Sequence, residues 1–367
     1  MARRAEVLAA LGRALATDEA LTFVAPDRRG RRSTVYFVGL QADPGRCRWV
    51  VKAPNVGVVR EDLPSPVAAE AQLAALARAA VHLTAAPGNL AAPRPVGLLA
   101  GLDSYAMEYA DGQPLSRRIS PAAVVRPGEL LAGMAAAAEL IRALHRLEPG
   151  RDQTVDLRST VRQASRRARA VLAGIGLTAP DPPPPAADHV IAADVLLHGD
   201  FAPENVLLGA STTCLEPDLA ARGPAEHDLA RFLTMLFEAP LFVVGAHSAR
   251  VQRLRRRAAR AFLDAHYAGA PVSPLLAPLL HESLAARCVA RYVDCERRRP
   301  AAHRLRLHLL RSHFGRLLRE SWSWSPQPAQ DPEPGQLRER AAQLQRGADE
   351  PEHDRGHHGD QDEAQRE

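Results

Sequence analysis

Leu196-Leu197-His198-Gly199-Asp200-Phe201-Ala202-Pro203-Glu204-Asn205-Val206-Leu207-Leu208 decides how the rest of the chain is read. Two apolar runs, Val195 to Leu197 and Val206 to Leu208, flank a polar segment. Such a pattern fits two short buried strands holding a loop on a rigid base. The loop carries a carboxylate, Asp200, and, five residues later, a carboxamide, Asn205, with His198 and Gly199 in front. An aspartate so placed can take a proton from a hydroxyl, and an asparagine oxygen is a hard ligand suited to Mg²⁺.

Working outward, one cation stands apart. Of the 47 lysines and arginines, Lys52 alone is lysine, and it sits in the apolar run Trp49-Val50-Val51-Lys52-Ala53-Pro54. A site that needs a compact ammonium is not served by a wide guanidinium fork, which explains the exception; chance is the plain alternative. A buried ammonium wants a carboxylate nearby to stay charged. Glu70, on a helix expected from Pro66 to Ala80, is the natural candidate, against the ordinary reading of a solvated helix glutamate.

Residues 3–17 have helical spacing and read as a packing helix. Thr22 to Ala25, the basic turn Pro26 to Arg32, and Ser33 to Leu40 read as strand, turn, strand. Arg46 to Ala53 is a third strand. Pro93 to Ala100 and Tyr105 to Ala110 are two more, the second followed by Asp111-Gly112-Gln113-Pro114-Leu115. Beyond about residue 115 the pattern is helical: 128–147, 156–177, 232–244, 248–266 and two further stretches to about Ser321. The proline run Pro182 to Pro185 is a stiff connector.

His198-Gly199-Asp200, four residues, then Asn205 resembles the catalytic loop of the aminoglycoside phosphotransferase and choline kinase group, relatives of the protein kinases. Asp228-Leu229-Ala230 resembles the family's loop-supporting aspartate, and Met107-Glu108-Tyr109 followed by Gly112-Gln113-Pro114-Leu115 resembles its hinge. The resemblance spans roughly residues 20–320. It implies an α+β, bilobal protein-kinase-like fold: a small antiparallel-sheet N-lobe over 1–110 and a larger, mainly helical C-lobe over 111–324. It implies ATP and Mg²⁺ as cofactors and transfer of the γ-phosphate to a hydroxyl of a small molecule. Asp200 then serves as base with His198 orienting the loop, Lys52 paired with Glu70 meets the phosphates, backbone groups of Glu108, Tyr109 and Ala110 bind adenine, and amides near Gly30 and Ser33 cover the phosphates. Asn205 is one Mg²⁺ ligand. The second falls twelve residues before Asp228, where the family usually has aspartate and this chain has Glu216, with Asp218 close by. An extra methylene matters to a metal that demands near-ideal octahedral geometry. An active kinase and a pseudokinase-like nucleotide-binding or regulatory protein are therefore both open.

With 367 residues and 46% hydrophobic composition, the chain can bury a core of about two lobes. Cys47, Cys214, Cys288 and Cys295 lack Cys-x-x-Cys spacing, so neither a zinc site nor a disulfide framework is indicated. Glu6, Arg13, Asp18 and Glu19 interrupt any leader-like apolar stretch, and no run approaches the roughly 18 apolar residues of a membrane span. The expectation is a cytoplasmic protein. Residues 325–367 hold eleven acids against five arginines and read as a disordered acidic tail, in which His353, His357 and His358 are solvated. The remainder is then strongly basic. Its arginines on 158–169 and 250–260 suit solvated faces, an anionic small-molecule substrate, an acidic membrane surface or the chain's own tail. Nucleic acid is disfavoured, because no zinc finger, basic zipper or RNA-binding aromatic motif is present. The basic excess also runs against a polycationic aminoglycoside as acceptor.

Overall fold

The computed structural model describes residues 2–29, 33–54, 68–185, 187–217, 219, 221–296 and 303–324. Gly30, Asp218, the expected start of the second helix at Pro66 and the acidic tail lie outside the described residues. The N-terminal part is an antiparallel sheet with its helices and the C-terminal part is mainly helical, the α+β arrangement expected.

Helix α1 (Ala2–Leu15) is followed by β1 (Leu21–Phe23), β2 (Arg28–Arg29), β3 (Ser33–Leu40) and β4 (Trp49–Pro54). Next come α2 (Ala69–Ala85), β5 (Leu90–Ala91), β6 (Pro95–Leu98) and β7 (Tyr105–Glu108). The sheet order is β1-β3-β4-β7-β6, with β2 on β3. Successive strand residues point to opposite faces, and here both faces are apolar. Tyr36, Val38, Val51 and Ala53 pack with Val7 and Leu11 of α1. Val35, Phe37 and Val50 pack with Leu73 and Leu76 of α2. The sheet thus carries a helix on each side, the two that the sequence leads one to expect near residues 3–17 and 66–80. Register places Lys52 opposite Val35 on one side and Tyr105 on the other, so alternation puts it on the α2 face with Val50.

The C-terminal part contains β8 (Gln113–Pro114), α3 (Pro121–Val125), α4 (Gly128–Leu144), β9 (Gln153–Asp156), α5 (Leu157–Ala173) and β10 (His189–Ala192). It continues through β11 (Asp194–Leu196), β12 (Val206–Leu208), β13 (Thr212–Cys214), β14 (Arg222–Pro224) and α6 (Glu226–Phe237), and ends with α7 (Pro240–Val244), α8 (Ala249–Tyr267), α9 (Leu276–Glu296) and α10 (His303–Ser321). Leu130, Met134, Ala137, Leu140, Ile141 and Leu144 bury α4 almost all round, which makes it the central helix. Asp156 and Ser248 start α5 and α8 by accepting the N–H groups of Ser159 (2.8 Å) and Val251 (3.4 Å). The single helix expected over 232–244 is two. Pro240 cannot continue α6, but its fixed φ suits the first position of α7.

Candidate active site

Strand β11 enters the His198-Gly199-Asp200 loop and β12 leaves it, as the two apolar runs suggest. Gly199 adopts φ +82°, a left-handed conformation that turns the chain sharply and that a side chain would strain. Phe201 is fully buried and stacks on Phe232 of α6 at 5.0 Å, which in turn stacks on Phe262 of α8 at 4.2 Å. This aromatic column anchors the loop to the helical core.

Asp228, in the first turn of α6, holds the loop from beneath. One carboxylate oxygen, Oδ2, accepts the His198 N–H (2.7 Å) and meets His145 Nε2 at 3.0 Å; the other, Oδ1, accepts the Gly199 N–H (3.0 Å). Burial by itself would raise the pKa of this carboxyl. The His145 contact and the neighbouring His198 outweigh it and hold Asp228 below the usual carboxylate range. The His198 ring is likewise tied, with Nε2 against the Leu215 carbonyl at 3.0 Å and Nδ1 accepting the Asp200 N–H at 3.3 Å. Asn205 Nδ2 donates to the Asp200 carbonyl (2.8 Å), which leaves Oδ1 as the amide's acceptor atom.

Lys52 is buried, and its ammonium lies 3.0 Å from Glu216 Oε2. That corrects one expectation. Glu70 is exposed on the first turn of α2, and the ion pair of Lys52 among the described residues is with Glu216. The reason is conformational: Glu216 follows β13 in a left-handed backbone state (φ +54°), strained for a residue with a long side chain, and that side chain spans the gap to β4. The Leu215 N–H bonds the Asn205 carbonyl at 2.8 Å, so Glu216 and Asn205 come from paired segments.

In the hinge segment, the N–H of Glu108 goes to the Arg94 carbonyl and that of Tyr109 to the Arg48 carbonyl, each at 2.8 Å. Both amides are spent within the protein. The Glu108 side chain pairs with Arg94. Ser33, the first residue of β3, lines a cavity of about 1310 Å³ that Gly199, Asp200, Glu216 and Asp228 also line.

Two partners escaped the sequence reading. Arg231 Nη2 lies 2.7 Å from Asp200 Oδ1, so the loop aspartate is ion-paired. The spacing Asp228-Leu229-Ala230-Arg231 carried a hint, because residues three apart on a helix share a face. His145, at the end of α4, left no such trace; it meets Asp228 across 83 residues of chain.

No curated protein matches the sequence significantly. A solved structure of glucosamine kinase in complex with glucosamine, ADP and inorganic phosphate is similar at TM-score 0.50 and 18% identity, over 83% of this chain and 83% of that chain. Crystal form B of glucosamine kinase gives TM-score 0.50 and 19% identity, over 86% and 84%. The apoenzyme of macrolide 2′-phosphotransferase MphH from Brachybacterium faecium gives 0.41 and 19%, over 83% and 96%. The sequence profile of the APH phosphotransferase enzyme family matches residues 24–263, well over half of the chain and inclusive of Lys52, the His198–Asn205 loop, Glu216 and Asp228. On that match, this chain belongs to the phosphotransferase enzyme family.

Proposed function

We propose that this phosphotransferase moves the γ-phosphate of ATP to a hydroxyl of a small molecule, with Asp200 as the base. The observation that carries the reading is the convergence on one cavity of Asp200, on a loop that Asp228 holds from below, and of Glu216, the ion-pair partner of Lys52. Lys52 leaves Glu216 for the phosphates when nucleotide arrives, and its buried position lets one ammonium neutralise phosphate oxygens with little screening. The Glu108 carbonyl and the Ala110 N–H meet adenine, since the Glu108 and Tyr109 amides are occupied. Asp200 accepts the proton of the acceptor hydroxyl, and the clamp keeps its carboxylate in line for the transfer. His198 positions the loop and takes no part in the proton transfer.

The oxygens of Asn205 and Glu216 form a hard donor set suited to Mg²⁺. The metal would neutralise charge on the phosphates during transfer. Calorimetric titration of ATP with and without Mg²⁺, on the wild type and on Glu216→Ala, tests this assignment. Mg²⁺ should tighten ATP binding to the wild type by about tenfold or more, on the scale of losing an orienting partner at a metal site, and should do little for the variant. An identical Mg²⁺ effect in both proteins would remove Glu216 as a ligand and point to Asp218. If ATP fails to bind the wild type, the chain is a family member turned to a non-catalytic role.

Arg231 is the residue that orients Asp200. Arg231→Gln is expected to lower kcat on the order of tenfold while leaving the KM for ATP nearly unchanged, because the guanidinium touches the base and not the hinge. Steady-state ADP release checks it; a rise in the KM for ATP with kcat preserved would contradict the assignment.

A further inference from the structure

We propose that the acceptor brings a negatively charged group, a carboxylate or a phosphate, to the wall of the cavity formed by α5 and α9, where Arg287 and Arg167 receive it. The inference rests on the phosphotransferase reading and names the class of its acceptor.

Asp200, Glu216, Asp228 and Glu282 line the cavity, and each already has a partner. Asp200 meets Arg231 at 2.7 Å, Glu216 meets Lys52 at 3.0 Å, Asp228 meets His145 at 3.0 Å and Glu282 meets Arg167 at 2.8 Å. An acceptor bearing ammonium groups would have to displace Arg231, Lys52 or Arg167 before it met a carboxylate of this wall. Among the described residues, each carboxylate that lines the cavity has a partner.

The guanidiniums are arranged differently. Arg287, which lines the cavity, and Arg291, one turn further along α9, both bond to Glu238. The Glu238 side chain is only 3% exposed, so one buried negative charge holds two cations side by side. Arg167 is 57% exposed, and its pair with Glu282 is of the surface kind that contributes about 1 kcal/mol or less, so it can turn to a ligand at small cost. Carboxylates and phosphates match the planar fork of arginine, which binds them with two parallel hydrogen bonds. Leu279, Ala286, Val289 and Val293 on the same helix face give the wall an apolar part, suited to an acceptor with a nonpolar body and an anionic end.

Calorimetry on the nucleotide-loaded protein tests the proposal. The ATP site is first saturated with Mg²⁺ and a non-hydrolysable ATP analogue, so that the triphosphate subsite is closed, and inorganic phosphate is then titrated. Phosphate should bind the loaded wild type, with Kd raised at least tenfold in Arg287→Gln and at least threefold in Arg167→Gln. The second variant alters an exposed pair and keeps the test alive if Arg287→Gln does not fold. Failure of phosphate to bind the loaded wild type, or equal binding by wild type and Arg167→Gln, overturns the proposal. If the analogue itself does not bind, it is the phosphotransferase reading that falls, and the two failures are separately visible. A companion assay compares glucuronate, glucose and glucosamine as acceptors, one ring in three charge states. Preferred turnover of glucosamine would also overturn the proposal.

Discussion

Asp200→Asn should lower kcat/KM for the acceptor by about 10²- to 10⁴-fold, the range over which a positioned general base accelerates proton transfer. Asparagine is nearly isosteric and keeps the loop, but it offers no basic oxygen for the hydroxyl proton and no charge for Arg231, 2.7 Å away in the native protein. The fold should be preserved, because the groups that hold the loop are the Asp228 bonds to His198 and Gly199 and the buried Phe201 ring, none of which involves the Asp200 carboxylate. ATP affinity should therefore stay within about threefold of wild type, a difference below 1 kcal/mol. The measurement is ADP release with the best acceptor from a panel of hydroxyl compounds, beside an ATP titration of the same preparations. Wild-type turnover by Asp200→Asn would eliminate Asp200 as the base; loss of ATP binding and turnover together would signal damage to the fold instead.

Acid should destabilise the protein well above the usual carboxylate range. His281 and His313 are fully buried in the helical core, and burial pushes the pKa of each down to about 4; burial, with the His145 and Arg142 charges, takes His266 to about 3. In the unfolded chain these rings take up protons below about pH 6.5. A folded pKa below the unfolded one means that the unfolded state binds more protons through that window, so stability is full above about pH 6.5 and falls as pH drops towards 4. Each group contributes up to about 1.4 kcal/mol per pH unit, so His281 and His313 alone remove roughly 5 kcal/mol between pH 6 and 4. That is comparable to the whole stability of many domains. Urea unfolding at pH 7, 6 and 5 should show the decline. His281→Phe, which keeps a ring beside Trp322, should flatten it by roughly a third, since it removes one of three titrating groups. A stability flat from pH 7 to 5 would mean that these rings are solvated in the folded protein.

Much of this site could be read before any fold was known. Val195 to Leu197 and Val206 to Leu208 announced strands because continuous apolar runs of that length are strand-like, and Lys52 announced itself as a lone ammonium in an apolar run. The loop, Asp228 and the segment Met107 to Leu115 stood out because the family motifs they resemble consist of residues close together in sequence. The short strands β9, β10 and β14 were invisible, since three or four residues are too few to show alternation.

Three matters were legible in the sequence alone: membership of a bilobal phosphotransferase family, the loop that carries Asp200 and Asn205, and the place of Lys52 within an apolar strand. Each depends on local order along the chain, which composition and spacing preserve. Tertiary structure decided the partners. It gave Lys52 to Glu216 in place of Glu70, set Arg231 on Asp200 and His145 beneath Asp228, and joined Arg287 and Arg291 at Glu238. Charge pairing at a few ångströms depends on which segments the core brings together, and the Lys52–Glu216 contact joins the N-terminal sheet to the segment after β13. An arginine-rich sequence leaves many such pairings open; packing selects among them, and among the described residues it gave each carboxylate of this cavity a partner.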